Sequence, residues 1–118
     1  RIFEAVGEVI ELEEKLFSAF SVIASCSPAY TLLYVDALAQ AGVQFGIPKP
    51  LALKIASQAV LGTTRLLQET GEHPRALADQ VCSPGGTTIA GVCSLQKDAF
   101  EAAVVAAAQA SLDRDKQL

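Results

Sequence analysis

The sequence predicts an all-α fold, preceded by a short N-terminal helix and strand. Three observations carry that expectation. From Glu13 onward apolar residues recur at helical spacing, and the runs are opened by Pro or closed by Gly. Two central segments, residues 28–46 and 50–70, are small or apolar on nearly every side. Strand-like alternation appears in the short stretch "EVIEL".

Taken in order, "RIFEAV" can close a helix that Gly7 ends, and residues 9–12 then read as a strand. A single strand cannot satisfy its own edges, so it must pair outside this chain or lie as a loose arm. Residues 1–12 therefore read as the tail of a preceding α/β domain, and residues 13–118 as the helical domain. Glu13 and Glu14 begin the first helix, where acidic side chains favour the positive end of the dipole. "EEKLFSAFSVIAS" places Leu16, Phe17, Phe20 and Ile23 on one stripe. "SPAYTLLYVDALAQAGVQFG" opens with Ser27 as N-cap and Pro28 at the first helical position, and closes at Gly46. Pro50 starts the next helix, which runs to Thr70 and stops at Gly71. "HPRALADQV" is a short helix, and after "CSPGGTT" another spans about residues 88–95. Asp98 and Glu101 form a capping pair for the last helix, whose stripe is Phe100, Ala103, Val104, Ala107, Ala108 and Ser111.

A helix apolar all round is surrounded all round. A chain of 118 residues has few such positions, so a second copy is expected to supply the cover, giving an intertwined homodimer. The small residues Ala39, Gly42, Ala56, Ala59 and Gly62 would let backbones approach closely. The net charge of −4 provides no basic field, so neither nucleic acid nor an anionic lipid surface is expected as a partner. Uninterrupted apolar stretches fall short of the about 18 residues that span a bilayer. The three Cys, at 26, 82 and 93, have no metal-like spacing and read as reduced, buried thiols in a cytoplasmic protein. The first residue is Arg, as in a fragment of a longer protein.

"CSPGGTTIAG" is the stretch that could do chemistry. Gly85 and Gly86 permit positive φ. Thr87 and Thr88 then open a helix whose first N–H groups lack internal partners, a setting for a carboxylate or phosphate. Ser83 and the two threonines add hydroxyls. No Lys follows the glycines, so this is not a Walker A loop. By composition alone a plain corner between two helices is the favoured reading. His73, the one histidine, reads as a capping or surface residue beside Glu72, and no metal cluster, nucleophile elbow or G-x-G-x-x-G accompanies it.

"SPAYTLLYVDALAQAGVQFGIP" and "QAVLGTTRLLQETGEHPRALADQVCSPGGTTIAGVCSLQ" together resemble the C-terminal domain of pyrroline-5-carboxylate reductases. The resemblance runs from about Glu13 to the end. It implies an all-helical domain interleaved with its partner in a dimer, larger in some members, behind an N-terminal Rossmann domain that binds NADPH or NADH. The implied reaction reduces the C=N bond of 1-pyrroline-5-carboxylate to L-proline. By that resemblance Gly86, Thr87 and Thr88 hold the substrate carboxylate through backbone N–H groups, with Ser83 shaping the turn and reaching the same group. The Thr88 hydroxyl lies near the ring nitrogen and is the catalytic candidate. Glu72 matches an acidic position near the substrate, and Glu14 and Gln80 match positions that approach the cofactor. No metal is implied, and this chain alone is expected to be inactive.

The family usually reads G-S-G-P-A-Y where this chain reads "SCSPAY", so Ser25 and Ser27 replace glycines and Cys26 a serine. Gln80 stands where other members carry Asn or a basic residue. Two alternatives therefore stand beside the reductase: a non-catalytic dimerisation module of the same fold, and a related imine reductase.

Overall fold

The computed structural model describes residues 2–5 and 8–118, with side chains from Glu11 onward. It divides into two units, Arg1–Leu32 with Phe100–Leu118, and Leu33–Ala99.

The first unit begins with strands β1 (Ile2–Ala5) and β2 (Glu8–Glu11). They pair antiparallel, with Ile2 opposite Glu11 and Ala5 opposite Glu8. Residues 2–5 are thus strand, not the close of a helix, and β2 finds its partner within the chain. Local reading cannot see a cross-strand ladder, whose bonds join residues distant in sequence. Gly7, expected to end that helix, lies outside the described residues.

Glu13 is extended and precedes a 3₁₀ turn at Glu14–Leu16, with Glu14 in its first turn. Helix α1 (Phe17–Ser21) follows, then a π-helical turn at Val22–Cys26, then α2 (Ser27–Gln44). Ser27 is helical, so it caps nothing; the backbone passes through without a break. Its N–H donates to the Val22 carbonyl, five residues back. The π turn also shifts the expected stripe. Val22 is buried at 3% exposure, while Ile23 is 65% exposed. Helix α6 (Phe100–Gln117) completes the unit. The Tyr30 hydroxyl donates to the Ala107 carbonyl at 3.2 Å and pairs with Ser111 Oγ, tying α2 to α6. Of the expected α6 stripe, Ala107, Ala108 and Ser111 are half-buried and Phe100 and Val104 are exposed.

In the second unit α2 ends in a Schellman turn. Ile47 N–H donates to Gly42 O at 2.9 Å, Gly46 N–H to Val43 O at 3.0 Å, and Gly46 has φ 100°. Helix α3 (Lys49–Thr70) starts with Pro50 in its first turn and stops at Gly71, φ 66°. Lys49 Nζ reaches Asp36 Oδ1 and Gln40 Oε1, each at 2.7 Å, clipping α3 to α2. Ala39, Ala52 and Ala56 are buried here, and a Cβ added to Gly42 would lie 3.1 Å from that of Ala52. Of the small residues expected to admit a close neighbour, Ala39, Gly42 and Ala56 are half or fully buried within the chain, while Ala59 and Gly62 face outward. Helices α4 (Pro74–Val81) and α5 (Thr87–Lys97) follow. Asp98 closes α5, and Ala99 has φ 57°. That positive φ puts Asp98 outside α6, so the expected Asp98–Glu101 capping register does not form there.

The run Glu14–Gln44 is 31 residues long with a window of mean hydropathy 1.5, long and apolar enough by composition to cross a bilayer. The expectation of short apolar stretches broke this run at Ser27 and is corrected by the unbroken helix.

Candidate anion-binding turn

The site grows from four residues. Pro84 fixes its own φ near the value a turn needs at its second position. Gly85 follows with φ 68°, a left-handed conformation. The Gly86 N–H then donates to Ser83 O at 3.0 Å, closing the turn in the manner of type II. Gly86 itself is extended, with φ −84° and ψ −179°. Only one of the two glycines therefore uses positive φ. The other is required by space: a Cβ on Gly86 would stand 2.5 Å from Ser83 Oγ and 3.2 Å from Ser83 O.

Gly86 is the N-cap of α5 and offers no side chain to cap it. The N–H groups of Thr87 and Thr88 head the helix, where the dipole is positive. Of the three N–H groups expected to bind an anion, the Gly86 one is spent on Ser83 O, which leaves those of Thr87 and Thr88. Thr87, Thr88 and Ser83 are exposed, and Gly86 is half-buried. Pro84 and Gly85 build the turn without having been counted as site residues. The Pro-Gly pair at its centre is their sequence signal.

Just before α4, Glu72 accepts a hydrogen bond from Gln80 Nε2 at 3.3 Å, so these two expected site residues meet. His73 caps α4, its Nδ1 accepting the Arg75 N–H at 3.0 Å. Glu14 belongs to the first unit and is exposed. The three cysteines are free; Cys26 and Cys82 are half-buried and Cys93 is exposed, so none is a buried thiol in the single chain. Among the described residues no group of three His, Cys, Asp or Glu could hold a metal ion.

A cavity of about 400 Å³ lies elsewhere in the second unit, between α2, α3 and α4, lined by Tyr34, Leu38, Val60, Leu67, Leu77 and Val81 among others. Thr63 and Thr64 also line it, with their hydroxyls donated to the Ala59 and Val60 carbonyls of their own helix. Large apolar side chains are exposed in the single chain: Leu32 68%, Leu33 73% and Leu61 59%. A monomer does not leave so many uncovered.

Fold and site define an all-helical module with apolar helices that require cover and one built turn that opens a helix N-terminus. Residues 14–118 match the family model for pyrroline-5-carboxylate reductase dimerisation, and the chain belongs to that family. It is 47% identical over 117 residues to the pyrroline-5-carboxylate reductase of Synechocystis, covering 99% of this chain and 44% of the relative. The Escherichia coli K12 enzyme of the same name is 41% identical, again over 99% of this chain and 44% of its own length. Among solved structures, 1-pyrroline-5-carboxylate reductase from Streptococcus pyogenes superposes with a TM-score of 0.90 at 42% identity, covering 92% of this chain and 42% of that one. Plasmodium falciparum pyrroline carboxylate reductase with NADP bound gives 0.87 at 30% identity, covering 92% and 41%. The chain thus spans less than half the length of these relatives.

Proposed function

We propose that this chain is the dimerisation and substrate-binding part of a pyrroline-5-carboxylate reductase, which reduces 1-pyrroline-5-carboxylate to L-proline. The observation that supports it most is the uncapped start of α5 behind the turn at residues 83–86. The Thr87 and Thr88 N–H groups hold the substrate carboxylate, helped by the helix dipole. Gly86 gives the carboxylate access because it has no side chain. Ser83 accepts the Gly86 N–H through its carbonyl and keeps its hydroxyl beside the anion. The Thr88 hydroxyl donates to the ring nitrogen, which gains a proton as the imine carbon is reduced. Positioning and charge complementarity are therefore this chain's contribution. Glu72, held by Gln80, borders the substrate.

The nicotinamide cofactor, NADPH or NADH, supplies the hydride when bound. Glu14 and Gln80 are both exposed and carry oxygens able to accept hydrogen bonds from its hydroxyl or amide groups. Each matches a family position that approaches the cofactor, while a Rossmann domain, of which residues 1–12 are the tail, would hold most of it. A second copy covers the exposed leucines in a homodimer. Three free thiols fit a reducing, cytoplasmic setting.

The test is Thr88→Ala in the full-length protein. Loss of one hydroxyl aimed at the reacting nitrogen should lower kcat/KM by about 10- to 100-fold with the dimer intact. Unchanged kinetics would remove Thr88 from the site. No turnover of 1-pyrroline-5-carboxylate by the unaltered protein would leave a dimerisation module or another imine reductase.

A further inference from the structure

Helix α4 is placed more by its ends than by its face. Leu77 is its one half-buried residue, and none is buried. Its start differs from those of α3 and α5. Pro48 and Gly86 offer those helices no side-chain cap, whereas His73 Nδ1 accepts the Arg75 N–H at 3.0 Å. A ring nitrogen that accepts carries no hydrogen, so the ring's proton sits on Nε2. Directly before this cap stands Glu72. Its N–H donates to Thr70 Oγ1 at 3.3 Å, which ties it to the end of α3. Its carboxylate accepts from Gln80 Nε2 at 3.3 Å, in the last turn of α4. The Glu72–Gln80 bond thus joins the two ends of one helix.

A bond of that kind depends on the length of the helix it spans. A helical residue rises about 1.5 Å and an extended one about 3.3 Å. Fraying of the first turn, about four residues, lengthens the path from residue 72 to Gln80 by up to about 7 Å. A contact of 3.3 Å does not survive that. We propose that His73 is a positioning residue for Glu72: by holding the first turn of α4, it keeps Gln80 within reach of the Glu72 carboxylate. Its effect on catalysis rests on the reading above that Glu72 borders the substrate.

The test uses the isotope-labelled, full-length protein without cofactor. The Gln80 side-chain amide signal is assigned by its loss in Gln80→Ala. Glu72→Ala should shift that signal, because the acceptor is gone. His73→Ala should shift it in the same direction, while His73→Asn, which keeps a capping side chain, should not. His73→Leu serves as a second cap-free variant should the alanine protein not fold. An unmoved Gln80 signal in a cap-free variant overturns the proposal. In kinetics, Glu72→Ala and His73→Ala should each raise KM for 1-pyrroline-5-carboxylate several-fold with kcat less affected, and His73→Asn should restore the parent KM. Added to Glu72→Ala, His73→Ala should change KM little further; a second rise of equal size overturns the route through Glu72. An unchanged KM in Glu72→Ala sinks the reading of Glu72, and the Gln80 signal still decides the positioning.

Discussion

Gly86→Ala tests the turn where its geometry is tightest. The new Cβ would meet Ser83 Oγ at 2.5 Å and Ser83 O at 3.2 Å, where ordinary contact begins at 3.4 Å. The hydroxyl can swing away about its own side-chain bond. The carbonyl cannot, because it accepts the residue-86 N–H at 3.0 Å. Overpacking of this kind costs about 1–3 kcal/mol. Stiffening of the unfolded chain by Ala returns about 0.4–1 kcal/mol. A net loss of up to about 2.5 kcal/mol is expected in urea unfolding at matched protein concentration. Combining it with Ser83→Ala should recover at most about 0.5 kcal/mol, because that change removes the hydroxyl and leaves the carbonyl contact in place. Gly85→Ala is the contrast. Nothing lies within 4 Å of a Cβ there, and φ is 68°. Its cost, about 1–2 kcal/mol, comes from backbone handedness alone, so Ser83→Ala should not relieve it. A stabilising Gly86→Ala, or its full rescue by Ser83→Ala, would refute the crowding argument.

The exposed and hydrogen-bonded side chains set other outcomes. Leu33 is 73% exposed in the single chain. Cover by a second copy makes that leucine worth about 1.5–3 kcal/mol, so Leu33→Glu should weaken association by at least about tenfold in sedimentation; an unchanged distribution would place Leu33 in solvent. Tyr30→Phe removes a hydroxyl that reaches Ala107 O and Ser111 Oγ. It should cost about 0.5–1.5 kcal/mol in thermal unfolding, and Ser111→Ala less, because Tyr30 keeps the Ala107 carbonyl.

Much of the helical plan was legible because its stops are local. Gly46 and Gly71 close α2 and α3 with positive φ, and His73 caps α4 as its place before Pro74 suggests. The turn at residues 83–86 was legible as a break, and the helix after it as an open N-terminus. What escaped was set by partners beyond the local window. The ladder of β1 with β2 is one case. The π turn is another, since one residue of offset leaves no mark in apolar spacing. Asp98 looked like a cap, but the φ of Ala99 assigns it to the preceding helix. The commitment of the Gly86 N–H to Ser83 O likewise depends on the turn type, not on the residue pattern that announced the site.

The buried apolar side chains of the described residues are Val22, Ala39, Ala52 and Ala56. Three of these are single methyl groups, which contribute little apolar area each. If the exposed leucines find their burial on another copy, most of the driving force becomes available only after two chains meet. Refolding from denaturant should then be second order in protein over much of its course, its half-time shortening as concentration rises. Two differently tagged batches, each folded separately, should exchange subunits only as fast as they unfold.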